Sequence, residues 1–278
     1  LAERLNDLHG RVHRGAYRAQ PSRRIWIPKA NGKQRPLGIA ALEDKIVQHA
    51  VVTVLNAIYE EDFRGFSYGF RPGRSQHQAL DALYVALRRK KVNWVLDIDI
   101  KGFFDNLDKE QLMEMIEQRI ADPRILRLIQ KWLNAGIIED GVWSETKAGT
   151  PQGAVASPLL ANVYLHYVLD QWTDQWRKYA EGDVTIVRYA DDAIIGFQNE
   201  NEARQYLKDL QERLGEFGLE LNEDKTRLIR FGRFARLNRE ERGEGKAESF
   251  TFLGFQHICA ENSLGRFEVR RITDGDRW

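Results

Sequence analysis

Residues 184–197, with the sequence VTIVRYADDAIIGF, decide the fold that we expect. β-Branched and other apolar residues dominate 184–188 and 193–197, which predicts two strands joined by a tight turn. The turn contains two adjacent carboxylates, Asp191 and Asp192. Like charges at this spacing repel each other, and a bound divalent cation would remove the repulsion. A solvated acidic turn explains an isolated pair better, so the interpretation depends on whether further carboxylates lie nearby.

A second acidic strand end occurs at 95–100, with the sequence VLDIDI. Side chains alternate along a strand, so Asp97 and Asp99 share one face and the aliphatic residues share the other. If this strand lies beside the 184–197 hairpin, Asp99 and Asp191 converge. Such oxygen ligands suit Mg²⁺, and two ions roughly 3.5–4 Å apart serve an in-line phosphoryl displacement. For Asp97 we favour a structural role as a helix cap or hydrogen-bond acceptor.

Charge is segregated along the chain. Of 278 residues, 42 are Lys or Arg and 41 are Asp or Glu, which gives a formal net charge of +1. Residues 1–40 carry a net charge of +7, residues 41–224 carry −10 and residues 225–278 carry +4. Basic flanks around an acidic middle suit a protein that contacts phosphates at its edges and holds metal ions at its centre. Charge scattered over a solvated surface would have the same composition.

The overall composition is that of a globular protein, with 42% hydrophobic and 30% charged residues, and it excludes a disordered or membrane-spanning chain. Cys259 is the single cysteine, so the sequence offers neither an internal disulfide nor a zinc site. His49, His77 and His166 lack metal-ligand spacing, and we expect structural roles for them. The expected location is the cytoplasm, with nucleoid or ribonucleoprotein association; an organelle is also compatible.

Hydrophobic periodicity and turn signals predict an α+β fold. Helices are expected at 42–59, 76–89, after 105–108, and at 123–134, 159–179 and 200–217, with a helix or ordered arm over 1–22. Strands are expected at 23–28 and 34–39, as a hairpin, and at 93–100, 184–188, 193–197, 227–231 and 249–255. Residues 235–247 are expected to form an exposed, charged linker. Most of the strands could pair antiparallel in one sheet with helices behind it.

Seven motifs in order over about 230 residues make the chain resemble reverse transcriptases encoded by group II introns and their relatives. The motifs are IPK with RPLGI (27–29, 35–39), SYGFRPGRS (67–75), DIKGFFD (99–105), GTPQG with SP (149–153, 157–158), YADD (189–192), GL with N, K and T (218–226) and FLGF (252–255). The resemblance implies a right-hand polymerase fold of fingers and palm, with an antiparallel palm sheet backed by helices and the thumb absent or nearly so.

The resemblance also implies a division into domains. Residues 1–92 would form the fingers, including the 23–39 hairpin, and residues 93–255 the palm. A helical insertion at 102–158 would contribute to both. Residues 256–278 would begin the connection to a thumb. We therefore expect the catalytic core of a longer enzyme, or a truncated relative.

Site residues follow from the same motifs. The implied catalytic residues are Asp99, Asp191 and Asp192, and the implied metal ligands are Asp99, Ile100 and Asp191, which would hold two Mg²⁺ ions with Mn²⁺ as a substitute. The implied contacts to the deoxynucleoside triphosphate are Lys29, Arg35, Phe103, Phe104, Gln152 and Lys225. The implied contacts to template and primer are Arg71, Arg74, Gly149, Pro151, Gly153, Phe252, Leu253 and Gly254.

Chemistry supports several of these assignments. Lys29 and Arg35 flank a flexible turn and could cover a triphosphate, although two exposed charges on a hairpin would look the same. One phenylalanine of the 103–104 pair could clash with a ribose 2′-hydroxyl and so favour deoxynucleotides; we favour Phe104, with Phe103 in the core. Lys225 could donate a proton to pyrophosphate, and a plain surface lysine is the rival interpretation.

The remaining motifs leave alternatives open. Gln152 could lie along the minor-groove side of the nascent pair, and the glycines around it let the backbone approach bases closely. Ala154 departs from the glycine that relatives often carry, which puts the local backbone geometry in question. Arg71 could contact the template backbone or brace its own loop.

We expect an RNA-directed DNA polymerase with an RNA template, a DNA or RNA primer and deoxynucleoside triphosphates as partners. Its own intron RNA is a further expected partner, a homodimer is compatible, and no membrane is expected. The alternatives are an RNA-binding splicing maturase that does not polymerise and a domesticated reverse transcriptase, as in retrons or CRISPR adaptation. A two-metal nuclease or cyclase fits the fingers and Gln152 motifs less well.

Overall fold

A computed structural model of the chain describes residues 1–28, 32, 34–145, 148–150, 153–245 and 247–275. The helices are α1 (Ala2–His13), α2 (Leu42–Tyr59), α3 (Gln76–Arg89), α4 (Phe103–Asn106), α5 (Lys109–Glu117), α6 (Pro123–Leu133), α7 (Ser157–Leu165), α8 (Gln171–Trp176), α9 (Glu200–Gly215) and α10 (Ala235–Arg242), with a π-helical turn at His166–Asp170. The strands are β1 (Ser22–Pro28), β2 (Gln34–Ile39), β3 (Trp94–Ile98), β4 (Ile137–Glu139), β5 (Val142–Ser144), β6 (Val184–Tyr189), β7 (Asp192–Phe197), β8 (Arg227–Arg230), β9 (Ser249–Phe252), β10 (Phe255–Glu261) and β11 (Phe267–Thr273).

These elements confirm the predicted α+β class and divide into two compact units. The first unit comprises Leu1–Asp62 and Gly102–Tyr164, and the second comprises Phe63–Lys101 and Leu165–Trp278. None of the described helices is both long and apolar enough to cross a membrane.

The first unit contains a sheet in the order β2-β1-β4-β5. The predicted 23–39 hairpin is confirmed, because β1 and β2 pair antiparallel with Ile27 opposite Arg35. β4 pairs parallel with β1 and antiparallel with β5, and the sequence pattern had not indicated either short strand. Most of the turn between β1 and β2, including Lys29, lies outside the described residues.

Helices of the first unit begin and end where local signals predict. The predicted helix at 42–59 is confirmed as α2, which buries Val47, Val51 and Leu55. The side chain of Asp122 accepts a hydrogen bond from the backbone nitrogen of Arg124 (2.8 Å) and caps α6. Such caps satisfy backbone N–H groups that have no partner within the helix.

The second unit is built on an antiparallel sheet in the order β6-β7-β3-β8. Leu96 of β3 lies opposite Ile195 of β7 and opposite Leu228 of β8. α3, confirmed at the predicted 76–89, contributes Leu80 and Leu83 to a core shared with this sheet. Ser75 begins α3 with a capping box.

Four of the seven predicted strands share one antiparallel sheet, whereas β9 pairs with β10 and β11 in a separate antiparallel sheet. One expectation for the second unit is wrong, because residues 235–242 form α10 rather than a linker. Within α10, Arg236 and Glu240 pair at 2.8 Å one turn apart, which stabilises a helix that has little apolar surface.

The predicted continuous helix at 159–179 is also interrupted. α7 and α8 are separated by the π-helical turn at His166–Asp170, in which hydrogen bonds span one residue more than in an α-helix. His166 is buried there beside Phe63, with their ring centroids 5.6 Å apart, which agrees with a structural role for this histidine.

Candidate active site

Pairing of β3 with β7 brings together the two acidic strand ends. Ile98 lies opposite Ala193, so the next residues, Asp99 and Asp192, face each other at the end of the ladder. Asp191 precedes Asp192 in the turn. The structure therefore places three predicted catalytic carboxylates at one end of the same sheet.

The turn between β6 and β7 has an uncommon backbone conformation. Tyr189 pairs with Asp192, which leaves Ala190 and Asp191 as the two turn residues. Ala190 has a φ of 57°, a left-handed conformation that costs a non-glycine residue about 1–2 kcal/mol. Other parts of the unit must therefore hold the turn in place.

Gly69 of the SYGFRPGRS motif supports this turn from one side. A Cβ atom at Gly69 would lie 2.2 Å from the backbone nitrogen of Ala190, so only glycine fits without moving the turn. The neighbouring Tyr68 donates its backbone N–H to the carbonyl of Arg188 (2.9 Å). The motif thus packs along β6, a role that the sequence analysis missed.

Arg188 supports the turn from within the core, and the sequence analysis missed it as well. Its guanidinium bonds both carboxylate oxygens of Asp170, with Nε–Oδ1 at 2.7 Å and Nη2–Oδ2 at 2.5 Å. Nη1 donates to the backbone carbonyl of Ala190 (2.8 Å). An arginine inside an otherwise apolar strand was the available signal, because a buried charge requires a partner.

The surroundings of Asp192 raise its pKa. Desolvation first, and then the charges of Asp191 and Asp99, raise the pKa of Asp192 to about 6. The Asp192 side chain is exposed to solvent, which limits the desolvation, whereas repulsion by the neighbouring carboxylates acts across the cluster. Desolvation likewise raises the pKa of Asp97 to about 6, partly offset by Arg227.

Lys225 supplies a positive charge to this cluster. Its Nζ lies 2.9 Å from Oδ1 of Asp99, and the side chain is otherwise exposed. The predicted nucleotide contact is therefore placed beside a predicted catalytic residue. An ammonium on this carboxylate indicates a position where a cation is favoured.

The 218–226 motif holds the strand end that carries Asp99. The carbonyl of Asp99 accepts a hydrogen bond from the backbone of Asn222 (2.8 Å), and Lys101 donates to the carbonyl of Glu220 (2.8 Å). Ile100 is buried and forms a β-bridge with Leu221. This motif therefore fixes both Asp99 and the Lys225 side chain beside it.

A divalent ion at this cluster would share its coordination between protein carboxylates and other ligands, and would not be enclosed by protein ligands alone. Among the residues that the structure describes, there is no group of three His, Cys, Asp or Glu side chains that could hold a metal ion. Asp99 and Asp191 offer oxygen ligands of the kind that Mg²⁺ prefers, and Mg²⁺ takes its other ligands from water and substrate phosphates. Desolvation and the charges of Asp191 and Asp99 raise the pKa of Asp192 to about 6, and a bound ion would offset the repulsion among these carboxylates.

Phe103 and Phe104 occupy different environments in the first unit. Phe103 is buried, and its ring lies 5.3 Å from that of Phe104, which is only half-buried. The backbone of Thr150 donates to the carbonyl of Phe104 (2.9 Å). A Cβ atom at Gly149 would lie 2.5 Å from that carbonyl oxygen, so this motif glycine permits the contact.

Other predicted residues of the first unit are partly described. Arg35 is exposed on β2. Gly153 has a φ of 108°, and a Cβ atom there would lie 2.7 Å from the carbonyl oxygen of Gly38, which belongs to β2. Lys29, Pro151 and Gln152 lie outside the described residues. Ala154 is buried, so its extra methyl group is part of the packing of this unit.

Arg71 and Arg74 both bond the loop that contains them. Arg71 is buried and donates to the carbonyls of Arg64 and Ser67, each at 2.7 Å. Arg74 donates to the carbonyl of Gly65 (2.7 Å). The placement of Arg71 favours the loop-bracing alternative over a template contact.

The FLGF motif is a tight hairpin turn between β9 and β10. Phe252 pairs with Phe255, and Phe252 is buried in the core. Leu253 and Gly254 have φ values of 51° and 79°, as in a type I′ turn. Gln76 donates its side-chain amide to the carbonyl of Leu253 (3.0 Å).

The antiparallel sheet with an acidic hairpin at its end defines a palm-type nucleotide polymerase core. Residues 27–257 match the family model described as reverse transcriptase (RNA-dependent DNA polymerase), and the chain belongs to this family. Protein YkfC of Escherichia coli is 36% identical over 97% of this chain and 75% of its own length. The group II intron-encoded protein LtrA of Lactococcus lactis is 43% identical over 59% of this chain.

These comparisons confirm the resemblance to group II intron-encoded proteins. The match spans 27% of LtrA, so the chain corresponds to a minor part of that relative. Among solved structures, a truncated apo telomerase from Candida tropicalis aligns with a TM-score of 0.65 and 17% identity, over 97% of this chain and 60% of the telomerase chain. At that identity the likeness supports the fold alone.

Proposed function

We propose that the chain is the catalytic core of an RNA-directed DNA polymerase that extends a primer 3′ end. The observation that carries the proposal is the placement of Asp99, Asp191 and Asp192 at one end of the β3–β7 ladder, where desolvation and the charges of Asp191 and Asp99 raise the pKa of Asp192 to about 6. A protein that merely binds RNA has little use for three crowded carboxylates, because they repel phosphates.

Asp99 and Asp191 would hold the divalent ions, with Ile100 as a further predicted ligand. When bound, these ions lower the pKa of the primer hydroxyl and offset the charge of the leaving pyrophosphate. Lys225 is a proton donor held at Asp99 by the 2.9 Å contact. We propose that it releases this carboxylate and protonates the pyrophosphate as it leaves.

Nucleotide selection is assigned to the first unit. Phe104, half-buried and held by its carbonyl, is the proposed barrier to a ribose 2′-hydroxyl. Arg35, exposed on β2, is the proposed triphosphate contact. Lys29 and Gln152 are assigned to the same substrate on their motifs alone. In the terms of the family fold, the first unit supplies the fingers and the second unit supplies the palm.

Primer extension on an RNA template tests the proposal. Asp191→Asn removes one carboxylate charge with little change of shape, and we expect the single-turnover rate to fall at least about 100-fold. Glu212→Gln, an exposed change of the same charge on α9, is the matched control and should leave the rate unchanged. Equal extension by the wild type and Asp191→Asn would contradict the polymerase assignment.

RNA binding in support of intron splicing is a second candidate function. Exposed arginines cluster in the first 40 residues, and an intron-encoded protein is among the relatives. The exposed members are Arg4, Arg14, Arg18, Arg23 and Arg35. If the chain has this function, it should bind RNA in a salt-dependent way and assist splicing, and both should persist in Asp191→Asn. Neutralising three of these arginines should weaken RNA binding and reduce its salt dependence.

A further inference from the structure

A buried ion pair lies directly behind the acidic turn. Arg188 of β6 and Asp170 of the π-helical turn each have 0% of their side-chain surface exposed. The guanidinium faces the carboxylate through two parallel hydrogen bonds, at 2.7 and 2.5 Å. This fork-to-fork geometry is the strongest arrangement available to an arginine and a carboxylate.

Burying both charges is costly for the fold. Removing two ions from water consumes much of the attraction between them, and well-packed apolar residues often stabilise a protein equally well. The pair is therefore poorly explained by stability alone. A further contact of the guanidinium indicates another role.

This further contact reaches the acidic turn itself. Nη1 of Arg188 donates to the carbonyl of Ala190 at 2.8 Å. Ala190 has a φ of 57°, and its peptide leads directly into Asp191. Fixing this carbonyl fixes the plane of the peptide group between Ala190 and Asp191, because the peptide unit is rigid. The direction in which Asp191 leaves the turn therefore depends on Arg188.

Arg188 is itself held from several sides. Its backbone N–H donates to the carbonyl of Phe66, and its carbonyl accepts from Tyr68, both at 2.9 Å. Asp170 is the last residue of the π-helical turn, a distortion that is frequent at functional sites. The guanidinium can therefore act as a rigid link between the core and the turn.

We propose that Arg188, locked by Asp170, is a positioning residue that sets the peptide before Asp191 and thereby prepares the acidic turn to receive divalent ions. The inference rests on the proposed polymerase function for its kinetic consequence. Its structural consequence, a turn held rigid by the guanidinium, is independent of that function. The two consequences call for separate measurements.

Arg188→Lys is the sharpest variant, because lysine keeps the charge that pairs with Asp170 but cannot also bond Ala190. Hydrogen–deuterium exchange should rise at least about tenfold in peptides covering 189–193 and stay unchanged in β8 and β9. In primer extension, the half-saturating Mg²⁺ concentration should rise about threefold or more. Affinity for the primer–template duplex should stay within about twofold of the wild type, which a general loss of structure would not allow.

Arg230→Lys is the matched control. Arg230 belongs to the same sheet, at a position opposite Trp94 and away from the turn, with its guanidinium over that ring at 4.7 Å. It should change neither exchange at 189–193 nor the Mg²⁺ requirement. A double variant, Asp170→Leu with Arg188→Met, removes the pair without leaving an unpaired charge, and it should reproduce the loosened turn.

The outcomes separate the two proposals. Unchanged exchange at 189–193 in folded Arg188→Lys overturns the positioning role, as does exchange that rises uniformly over the sheet. Failure of both the Lys variant and the double variant to fold overturns it too, because the pair would then be needed for the fold itself. If the wild type extends no primer while exchange responds as expected, the polymerase assignment fails and the positioning role stands.

Discussion

Two turns of the second unit, at 190–191 and 253–254, adopt strained backbones and are supported in different ways. A residue other than glycine has a positive φ in each, 57° at Ala190 and 51° at Leu253. In the second turn Gly254 follows, so the local sequence itself favours the type I′ geometry. The first turn contains no glycine, and its Asp191 is followed directly by a second carboxylate, Asp192, so its support comes from elsewhere in the unit.

The acidic turn has more support from residues outside it than the 253–254 turn has. Gly69 contacts its backbone, and Arg188 bonds its carbonyl with help from Asp170. The 253–254 turn instead receives one side-chain hydrogen bond, from Gln76. The difference teaches that a turn which must present charges is held by its surroundings, whereas a turn that must only reverse the chain can be specified locally.

Among the substitutions that test this difference between the two turns, Gly69→Ala should have the largest effect on stability and extension rate. The new Cβ atom would lie 2.2 Å from a backbone nitrogen of the acidic turn, so the turn must shift. We expect unfolding free energy to fall by about 1–3 kcal/mol and the extension rate to fall about 100-fold, as for a misplaced catalytic group. Denaturant titration and single-turnover extension measure the two effects.

Gly65→Ala is the control for that change. It lies in the same loop, and its added Cβ atom would meet nothing within 4 Å. Stability and rate should both stay near those of the wild type. A similar rate loss in both variants would show that the loop, rather than its contact with the turn, matters.

The sequence predicted the parts of this site that depend on local pattern. Alternating apolar residues and a tight turn placed the acidic hairpin, and a second acidic strand end placed Asp99 beside it. Neither the contact of Gly69 nor the pairing of Arg188 with Asp170 could be predicted, because each depends on which distant segments pack together. The π-helical turn has no periodic signal of its own, and it sets the position of Asp170.

Misassigned elements have a similar cause. Residues 255–273 mix charged and apolar residues without a clear period, and β10 and β11 form by pairing with each other and with β9 while Val269 packs in the core. The charged composition of 235–247 predicts a linker, although pairs such as Arg236–Glu240 favour the helix α10. Strand pairing determines the structure of β10 and β11, and the spacing of opposite charges favours the helix α10. Composition alone indicates neither.

An intermediate effect is expected from pH, and it should distinguish the acidic turn from the 253–254 turn. The pKa of Asp192 is raised from 3.8 to about 6 in the folded protein, so the folded state binds its proton more tightly than the unfolded chain. Stability of the metal-free protein should therefore fall as pH rises from about 4 to 6. Because Asp192 is exposed, we expect its share to be about 1 kcal/mol.

Asp192→Asn isolates the contribution of Asp192 to the pH dependence of the unfolding free energy. Denaturant titrations in a chelator at pH 4.5 and pH 7.5 should show the variant losing about 1 kcal/mol less than the wild type over this range. Mg²⁺ added at pH 7.5 should stabilise the wild type more than the variant. Identical pH profiles for the two proteins would contradict the electrostatic account of the turn.

Gln76→Ala should have the smallest effect, because the 253–254 turn keeps its own glycine. Loss of one hydrogen bond to the carbonyl of Leu253 should lower the unfolding free energy by about 1 kcal/mol, equally at pH 4.5 and pH 7.5. If this turn grips the primer, duplex affinity should weaken by no more than about fivefold, which corresponds to the same energy. Gln205→Ala, which removes an amide that bonds Asp209 within α9 (2.6 Å), is the helix control for the same substitution. A rate loss as large as that of Gly69→Ala would mean that both turns depend on distant support, and the contrast between them would disappear.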